Sequence, residues 1–299
     1  MNPRAQIRML PDGLRLHLSD GPIDVILQAF GGPREIDLAY CAASARFVTI
    51  LDELCSELSF LREPSLPRSP QPSGRVARRM IDAVLPYASS MFITPMAAVA
   101  GAVAEEILEA VVTSATLSRA YVNNGGDIAL FLGEGQQFVT GMVERPDRPS
   151  LFGTTTIDSR DLVRGIATSG WRGRSFSLGI ADAVTVLADS AAMADAAATV
   201  VANAVDLPGH PRIGRVRACD LAPDSDLREC WVTQSVPPLT GTEIHDALQA
   251  GAHVARSLCD RGLLRSAAIH LQGETRVVGA HGRSCYIDTA IPNRRLMHA

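Results

Sequence analysis

The sequence predicts a mixed fold in which β-hairpins are combined with separate helices, and three features of the chain indicate this. Residues 7–18 place two short strand patterns around Pro11-Asp12-Gly13, a tripeptide that favours a tight turn. Residues 267–279 repeat that arrangement around Gly273-Glu274. Between the two hairpins, a helix is predicted from Pro33, because apolar side chains recur there at a spacing near 3.6 residues and proline suits a first helical turn.

The segment after the first hairpin is predicted to contain a third strand and two helices. Residues 24–30 have a strand pattern, and the helix from Pro33 is expected to end near Arg62. Residues 64–74 include four prolines and three serines, which predicts a surface loop or linker. Residues 75–85 predict a short helix with three arginines on one side, which form either a phosphate-binding face or a solvated basic face: Arg75, Arg78 and Arg79.

A further helix is predicted to begin at Thr94-Pro95, after a short strand at residues 90–93. Threonine suits the N-cap, and proline suits the first helical position. Residues 97–104 are mostly alanine with a glycine at Gly101, so one region of this helix has almost no side-chain bulk. Such a region permits a close approach of the backbone to a sheet or to a ligand, and we favour packing against a sheet.

Strand patterns dominate the middle of the chain. Three of them are expected to form a meander: residues 119–123, 128–132 and 137–143. A fourth strand is predicted at residues 154–157. Later in the chain, residues 213–219 predict another strand. Thr242 is expected to cap a helix over residues 243–258 that ends at Gly262.

The connection between the first two of these strands is a candidate binding loop. Asn124-Gly125 is a strong hairpin signal, so the simplest interpretation is a tight turn. The second glycine, Gly126, and the acid Asp127 exceed what a two-residue turn requires. The loop is therefore either a turn alone or part of a ligand site.

A second candidate site lies in residues 163–206, which predict a strand, a glycine-rich turn, a second strand and an alanine-rich helix. The turn is residues 165–170. Its glycines permit close approach of the backbone, and neighbouring hydroxyls can hydrogen-bond phosphate or their own turn. The phosphate-facing candidates are therefore Thr168, Ser169 and Gly170.

The helix of this region carries a candidate metal site. Residues 183–188 are short and rich in β-branched side chains, which predicts a buried strand, and Asp189 and Ser190 then supply N-cap chemistry. Asp195 and Thr199 are four residues apart, so they lie on one face of the helix. A carboxylate and a hydroxyl suit a hard cation such as Mg²⁺, although a solvated Asp with a Thr bonded to its own helix is the simpler alternative.

The order of these pieces resembles the ApbE family, the FAD:protein FMN transferases. The motifs that carry the resemblance are Asn-Gly-Gly-Asp at residues 124–127, Thr-Ser-Gly at 168–170, Val-Thr-Val at 184–186 and Ala-Asp-x-x-x-Thr at 194–199. The resemblance spans residues 94–206 and is nearest to a compact branch of the family. It implies an α+β fold, with antiparallel sheets backed by helices, in a single domain over residues 1–299 that could be divided into two lobes at a Pro-rich loop, residues 63–74.

The resemblance also implies FAD and Mg²⁺ as cofactors. Asp195 and Thr199 would hold the metal, with a backbone carbonyl near Val99 or Ala100 as a third ligand. The Thr168–Gly170 turn would contact phosphate, and Asn124, Gly125, Gly126 and Asp127 would border the flavin. In the family, the acceptor is a threonine hydroxyl of a partner flavoprotein.

Two elements of the family pattern are missing. Ala100-Gly101 stands where the family has a Lys-Gly pair, and a short connector of residues 175–182 stands where it has a His-x-x-Asp-Pro segment. Asp182 is the candidate catalytic residue in place of that segment, and the alternative is an aspartate that only begins a strand. The departures concern the transfer step more than flavin or metal binding.

Composition limits the other possibilities. With 46% hydrophobic and 20% charged residues, the composition is that of a globular protein. A net charge of -4 gives no electrostatic reason to expect binding to nucleic acid or to an anionic membrane. Six scattered cysteines suggest reduced thiols. The first residues lack the apolar stretch of a signal peptide, and the lipobox cysteine of exported ApbE proteins is absent, so a cytoplasmic location is expected.

Three functional hypotheses remain open at this point. The first is an FAD-using, Mg²⁺-dependent enzyme that transfers FMN or cleaves the FAD diphosphate, with a partner flavoprotein, water or a small molecule as acceptor. The second is a flavin-binding accessory protein without chemistry. The third is a binding module for another nucleotide or metabolite, in which only the fold is shared.

Overall fold

The computed structural model describes residues 4–68, 71–143, 151–279 and 287–288. Its centre is a nine-stranded sheet in the order β1-β2-β3-β4-β5-β8-β9-β12-β13, and each pair of neighbours is antiparallel. The bounds of its strands are β1 (Gln6–Met9), β2 (Leu16–Asp20), β3 (Ile23–Gly31), β4 (Leu117–Asn124), β5 (Asp127–Leu132), β8 (Gly165–Ser169), β9 (Ala183–Ala188), β12 (Ser266–Leu271) and β13 (Glu274–Gly279).

Two smaller sheets accompany this central one. β6 (Gln137–Val143), β7 (Leu151–Asp158) and β14 (Ile287–Asp288) form a three-stranded antiparallel sheet. β10 (Gly214–Arg217) and β11 (Trp231–Ser235) form a two-stranded ribbon. The expected meander is therefore wrong in one respect, because β6 does not continue from β5 but pairs with β7. The partner of β5 on that side is β8, more than 30 residues further along the chain.

The α-helices are α1 (Pro33–Ser56), α2 (Leu58–Leu61), α3 (Arg75–Val84), α4 (Val99–Ser114), α5 (Ala191–Ala204), α6 (Ala218–Leu221) and α7 (Gly241–Asp260). The longer helices pack beside the central sheet and on one another, whereas α6 lies against β10 of the ribbon. Of these, α1, α4, α5 and α7 contact sheet strands directly. The predicted α+β fold with antiparallel sheets backed by helices is confirmed. In the described residues, no helix is long and apolar enough to cross a membrane.

Alternation along the strands builds two cores on opposite faces of the central sheet. In β5, Ala129 and Phe131 pack into the large core beneath the helices, whereas Leu130 and Leu132 pack into a smaller core with Met142 and Ile157 of the three-stranded sheet. This is the expected consequence of the two-residue period of a strand. The predicted buried strand, β9, lies between both cores, and all six of its residues are buried.

Most local predictions are confirmed, and the exceptions have local reasons. Residues 90–93 form no strand but a turn that leads into a 3₁₀ helix, Pro95–Ala98, before α4. Residues 165–169 are themselves strand β8 rather than a turn, because the β-branched and alanine residues pair with β9. The last hairpin turns at Gln272 and Gly273, whose φ angles are 45° and 88°.

The predicted arginine face of α3 is partly solvated, since Arg75 and Arg78 are exposed, but two of its arginines also form ion pairs. Arg79 forms ion pairs with Glu105, Glu106 and Glu109 of α4, and Arg75 pairs with the last two. Glu106 is buried, with 1% of its side chain exposed, so it requires these partners. Arg75 and Arg79 therefore join α3 to α4.

The close approach of α4 and α5 depends on Gly101. A Cβ atom on Gly101 would overlap the backbone carbonyl of Ala191, the first residue of α5. The expected packing role of the small residues in α4 is confirmed: Gly101 packs against the backbone of α5, and α4 also contacts strands β4 and β5 of the sheet. The contact at Gly101 brings the N-terminal turns of the two helices together.

The N-cap of α7 is Thr240, and the prediction of Thr242 was wrong. The hydroxyl of Thr240 accepts the backbone N–H of Glu243 at 3.3 Å, and the carboxylate of Glu243 accepts the N–H of Thr240 at 2.6 Å. These reciprocal bonds form a capping box, whose sequence pattern is Thr-x-x-Glu. Thr242 lies inside the first turn, where its hydroxyl has no such task.

We expect Thr240→Ala to lower the free energy of unfolding by about 1 kcal/mol, because the N–H of Glu243 loses its acceptor at the start of α7. Thr242→Ala serves as the matched control and should change it by less than about 0.5 kcal/mol. Urea denaturation of the two variants checks this. Equal effects of both substitutions would show that the box does not stabilise α7.

Replacement of Gly101 by alanine is expected to separate α4 from α5 and to destabilise the protein by about 1–3 kcal/mol, the usual cost of overpacking. Gly241→Ala is the control, since its Cβ would meet no atom within 4 Å. Thermal denaturation of the two variants should give a lower midpoint for Gly101→Ala alone. A similar midpoint for both would contradict the close contact.

Candidate functional site

The candidate site residues meet at one end of the central sheet because of its antiparallel register. The β4–β5 turn lies at this end, with Asn124 paired to Asp127. β8 ends here at Ser169, which pairs with Val184 near the beginning of β9. Residues separated by up to 60 positions in the chain therefore line one region.

A cavity of about 420 Å³ occupies this region, and we call it the central cavity. The helix α5 contributes Asp195 and Thr199 to its wall, one helical turn apart. The start of α4 contributes Ala100. The other residues that line it are Asn124, Gly125, Asp127, Thr168, Ser169, Gly170, Arg172, Gly173, Arg174, Ser175 and Asp182.

Two aspartates dominate the electrostatics of the central cavity. Asp195 accepts the backbone N–H of Gly101 at 3.0 Å, and Asp127 accepts that of Thr168 at 3.3 Å. Burial raises the pKa of Asp127 to about 7, against the opposing effects of the Thr168 N–H and the Arg174 charge. Burial, followed by the charge of Asp127, raises the pKa of Asp195 well above its usual range. The two carboxylates thus lie close enough to repel each other.

The Asn124–Gly126 turn has both a conformational and an anchoring role. Gly125 and Gly126 have φ angles of 68° and 116°, which favour glycine strongly. The side-chain amide of Asn124 donates to the carbonyl of Ala100 at 3.1 Å and so ties the turn to α4. Gly126 lies outside the central cavity and lines a neighbouring cavity of about 270 Å³.

The carboxylate of Asp182 is buried and fully engaged. Its Oδ1 accepts the indole N–H of Trp171 at 3.2 Å and the Nε–H of Arg172 at 2.9 Å. Its Oδ2 accepts the backbone N–H of Gln272 at 2.7 Å. Although Asp182 borders the central cavity, these bonds direct both of its oxygens to protein donors. It holds the segment that follows Gly170 against the turn of the last hairpin.

The predicted site residues are thus brought together with one exception, Gly126. The sequence analysis missed Arg172 and Arg174, which also line the central cavity. A signal for them was present, because two arginines in a Trp-Arg-Gly-Arg-Ser segment directly follow the Thr-Ser-Gly motif. Basic side chains beside a candidate phosphate turn are a reasonable sign of an anion site.

The oxygen donors of the central cavity fit a hard cation of the Mg²⁺ type. Among the described residues, no group of three or more His, Cys, Asp or Glu side chains is placed to hold a metal ion, so a cation here would take fewer side-chain carboxylates. Two carboxylates, Asp127 and Asp195, and the hydroxyl of Thr199 are available. Mg²⁺ commonly takes one or two carboxylates and completes its shell with water and substrate phosphate, and a cation would offset the repulsion between the aspartates.

Two further cavities adjoin the central one. A cavity of about 600 Å³, the apolar cavity, is lined mainly by hydrophobic side chains of α1, α2 and α4, including Leu51, Leu58 and Val103. Another of about 310 Å³, the side cavity, is bordered by Met91, Phe92 and Phe176, among others. Ala100, Arg174 and Ser175 line all three.

Comparisons with known proteins identify the family. A family model described as "AbpE bacteria" matches residues 7–277. Because that match covers most of the chain, the chain belongs to this family, and the predicted ApbE-like membership is confirmed. The family is thus established over a longer segment than the motifs at residues 94–206 covered.

Similar proteins include UPF0280 proteins of archaea. The one from Methanosarcina acetivorans is 33% identical over 186 residues, which cover 61% of this chain and 70% of that protein. Those from Methanosarcina barkeri and Methanothrix thermoacetophila are 37% and 36% identical, but the matches span only 52% and 54% of their lengths. Among solved structures, a mutant of the flavin transferase ApbE from Vibrio cholerae aligns with a TM-score of 0.47 and 11% identity, covering 93% of this chain and 97% of that one.

We expect Asp182→Ala to release Trp171, since the indole N–H loses its acceptor. The chain has two tryptophans, so the measurement is made in a Trp231→Phe background. The emission of Trp171 should shift to longer wavelength and become more accessible to acrylamide. Asp182→Asn, which keeps an oxygen acceptor, should shift it less. Unchanged emission in both variants would contradict the anchoring role of Asp182.

Proposed function

We propose that this protein is an FAD-binding, Mg²⁺-dependent enzyme that breaks the diphosphate of FAD, by FMN transfer or by hydrolysis. The observation that carries the proposal is the placement of Asp195, Thr199 and Asp127 on the wall of one cavity, which the Thr168–Gly170 segment also lines. Membership in an ApbE-like family supports flavin as the nucleotide. The neighbouring apolar cavity offers room for a large ring system.

The residues of the central cavity divide into metal ligands, phosphate donors and flavin contacts in this proposal. Asp195 and Thr199 hold Mg²⁺, with Asp127 as the second carboxylate. When bound, the metal would neutralise charge on the diphosphate and so favour the departure of AMP as the acceptor oxygen bonds to the FMN phosphorus. The Thr168–Gly170 segment donates hydrogen bonds to phosphate oxygens, and Asn124 and Gly125 border the flavin half.

The start of α4 also contributes to this arrangement. The carbonyl of Ala100, in the first turn of α4, accepts a hydrogen bond from the side-chain amide of Asn124 at 3.1 Å, which ties the flavin-bordering turn to this helix. Because the N–H of Gly101 is bonded to Asp195, the helix and the carboxylate are held in one geometry. The proposed ligands are therefore oriented before a ligand arrives.

Asp182 acts in this proposal as a positioning residue rather than as a proton carrier. Both of its oxygens accept hydrogen bonds from protein donors, and these bonds fix the orientation of the carboxylate. The acceptor is a threonine hydroxyl of a partner flavoprotein, water or a small molecule.

A second candidate function is that of an accessory protein that binds a flavin or another nucleotide without converting it. The engagement of Asp182 favours this alternative, because the one acid that could replace the missing His-x-x-Asp-Pro segment is occupied. The two functions differ in whether FAD is consumed.

The test is the release of AMP from FAD in the presence of Mg²⁺. We expect AMP from the wild type, a loss of about 100-fold in Asp195→Asn, because a charged ligand is removed from the reacting centre, and little change in Asp246→Asn. Asp246 is an exposed carboxylate of α7 and serves as the matched control.

The outcomes separate the two functions. AMP from the wild type and from Asp246→Asn, but not from Asp195→Asn, supports the enzyme. Tight FAD binding without AMP favours the accessory protein. A wild type that neither binds nor cleaves FAD would contradict the enzyme and the flavin-binding form of the accessory protein.

A further inference from the structure

Arg174 lines the central cavity but has no role among the proposed metal, phosphate and flavin contacts. Its side chain lines the central, side and apolar cavities, so it lies where the three meet. Its guanidinium lies against the Gly125 turn so closely that a Cβ on Gly125 would overlap Nη2. Glycine at this position therefore makes room for the arginine as well as for the turn.

The charge of Arg174 is not consumed by an ion pair. Among the described residues, no carboxylate oxygen lies within 4.0 Å of its guanidinium nitrogens, although its charge does act on Asp127 from a greater distance. Arg172 is different, because it is bonded to Asp182 at 2.9 Å and stacks over the ring of Trp171 at 4.2 Å. Of the two arginines in this segment, Arg174 is the one with donors available for a ligand.

The backbone that carries Arg174 is held at its base. The N–H of Trp171 donates to the carbonyl of Ala181 at 3.0 Å, and the N–H of Gly173 donates to the carbonyl of Gly170 at 3.1 Å. Asp182 adds the side-chain bonds to Trp171 and Arg172. The exposed side chain of Arg174 can move, but its Cα is fixed beside the cavity mouth.

The central cavity therefore has groups of both charge types in its wall. They are the carboxyl groups of Asp127 and Asp195 and the guanidinium of Arg174. Without a bound cation, the two aspartates would repel an anion that enters the cavity. With a cation bound to them, the anion would be attracted. A group with two or more negative charges can then be shared between the cation and the five N–H donors of an arginine.

We propose that Arg174 forms an anion subsite that selects an organic diphosphate with an apolar end. The diphosphate lies at the junction against the guanidinium, and the apolar end enters the apolar cavity between α1, α2 and α4. This deepens the proposed function and rests on it for the identity of the nucleotide. It assigns a specificity residue in the segment where the chain departs from the ApbE pattern.

The test compares ligands that share a ring but differ in charge. Dissociation constants of FAD and riboflavin are measured with Mg²⁺ by fluorescence anisotropy, and that of inorganic diphosphate by calorimetry. Arg174→Ala should weaken FAD and diphosphate binding by about 10–100-fold and leave riboflavin binding within about twofold. Arg174→Lys should be intermediate, because lysine keeps the charge but not the two-pronged geometry.

Arg212→Ala is the matched control, an exposed loop arginine outside the residues that line the three cavities. It should leave all three dissociation constants unchanged. Circular dichroism of each variant verifies that folding is intact. Salt should weaken FAD binding more in the wild type than in Arg174→Ala, since the removed contact is electrostatic.

The outcomes distinguish this proposal from the proposed function. Equal FAD binding by wild type and Arg174→Ala overturns the subsite and leaves the flavin function intact. Loss of riboflavin binding to the same extent as FAD also overturns it, because the residue would then act on the ring or on folding. If the wild type binds no FAD, the flavin function fails. The subsite then stands only if diphosphate binds the wild type and is lost in Arg174→Ala.

Discussion

The site depends on the contact between the first turns of α4 and α5. Gly101 lets the two backbones approach, and its N–H is then accepted by Asp195 across the gap at 3.0 Å. That single bond fixes the carboxylate and satisfies a backbone donor at a helix start, where the first N–H groups have no partner within the helix. A side chain at residue 101 would disturb the packing of the core and the position of the proposed metal ligand together.

The cost of placing two carboxylates near each other is the second constraint. The pKa values of Asp127 and Asp195 are raised chiefly because burial disfavours their charged forms. A folded chain that only needed stability would gain by replacing one of them with a neutral residue. The presence of both carboxylates is explained if a cation and an anionic ligand complete the charge balance of the cavity, which Arg174 also lines.

The segment between Gly170 and β9 shows how binding and positioning are divided among neighbouring residues. Asp182, Trp171 and Arg172 bond to one another and hold the backbone, while Arg174 extends towards the junction of the cavities. A short connector can thus be rigid at its base and adaptable at its tip. This arrangement is compact enough to occupy the place of the longer family segment.

The sequence alone was sufficient for features that depend on neighbours in the chain. The opening hairpin, β9, α5 and its Ser190 cap all follow from local periodicity and turn chemistry, and so does the common face of Asp195 and Thr199. The Thr-x-x-Glu pattern at Thr240 was also present, although two threonines so close together left the cap ambiguous. Of the candidate site, the residue types and their motifs could be predicted, but not their distances.

Tertiary structure decided what depends on partners distant in the chain. Whether β6 continues from β5 or leaves for another sheet is set by competition with β8, and a strand pattern carries no information about its partner. The engagement of Asp182 and the availability of Arg174 look alike in sequence, since each is a charged residue near glycines. They differ because folding brings Trp171, Arg172 and Gln272 to the carboxylate of Asp182, whereas it places the side chain of Arg174 at the cavity.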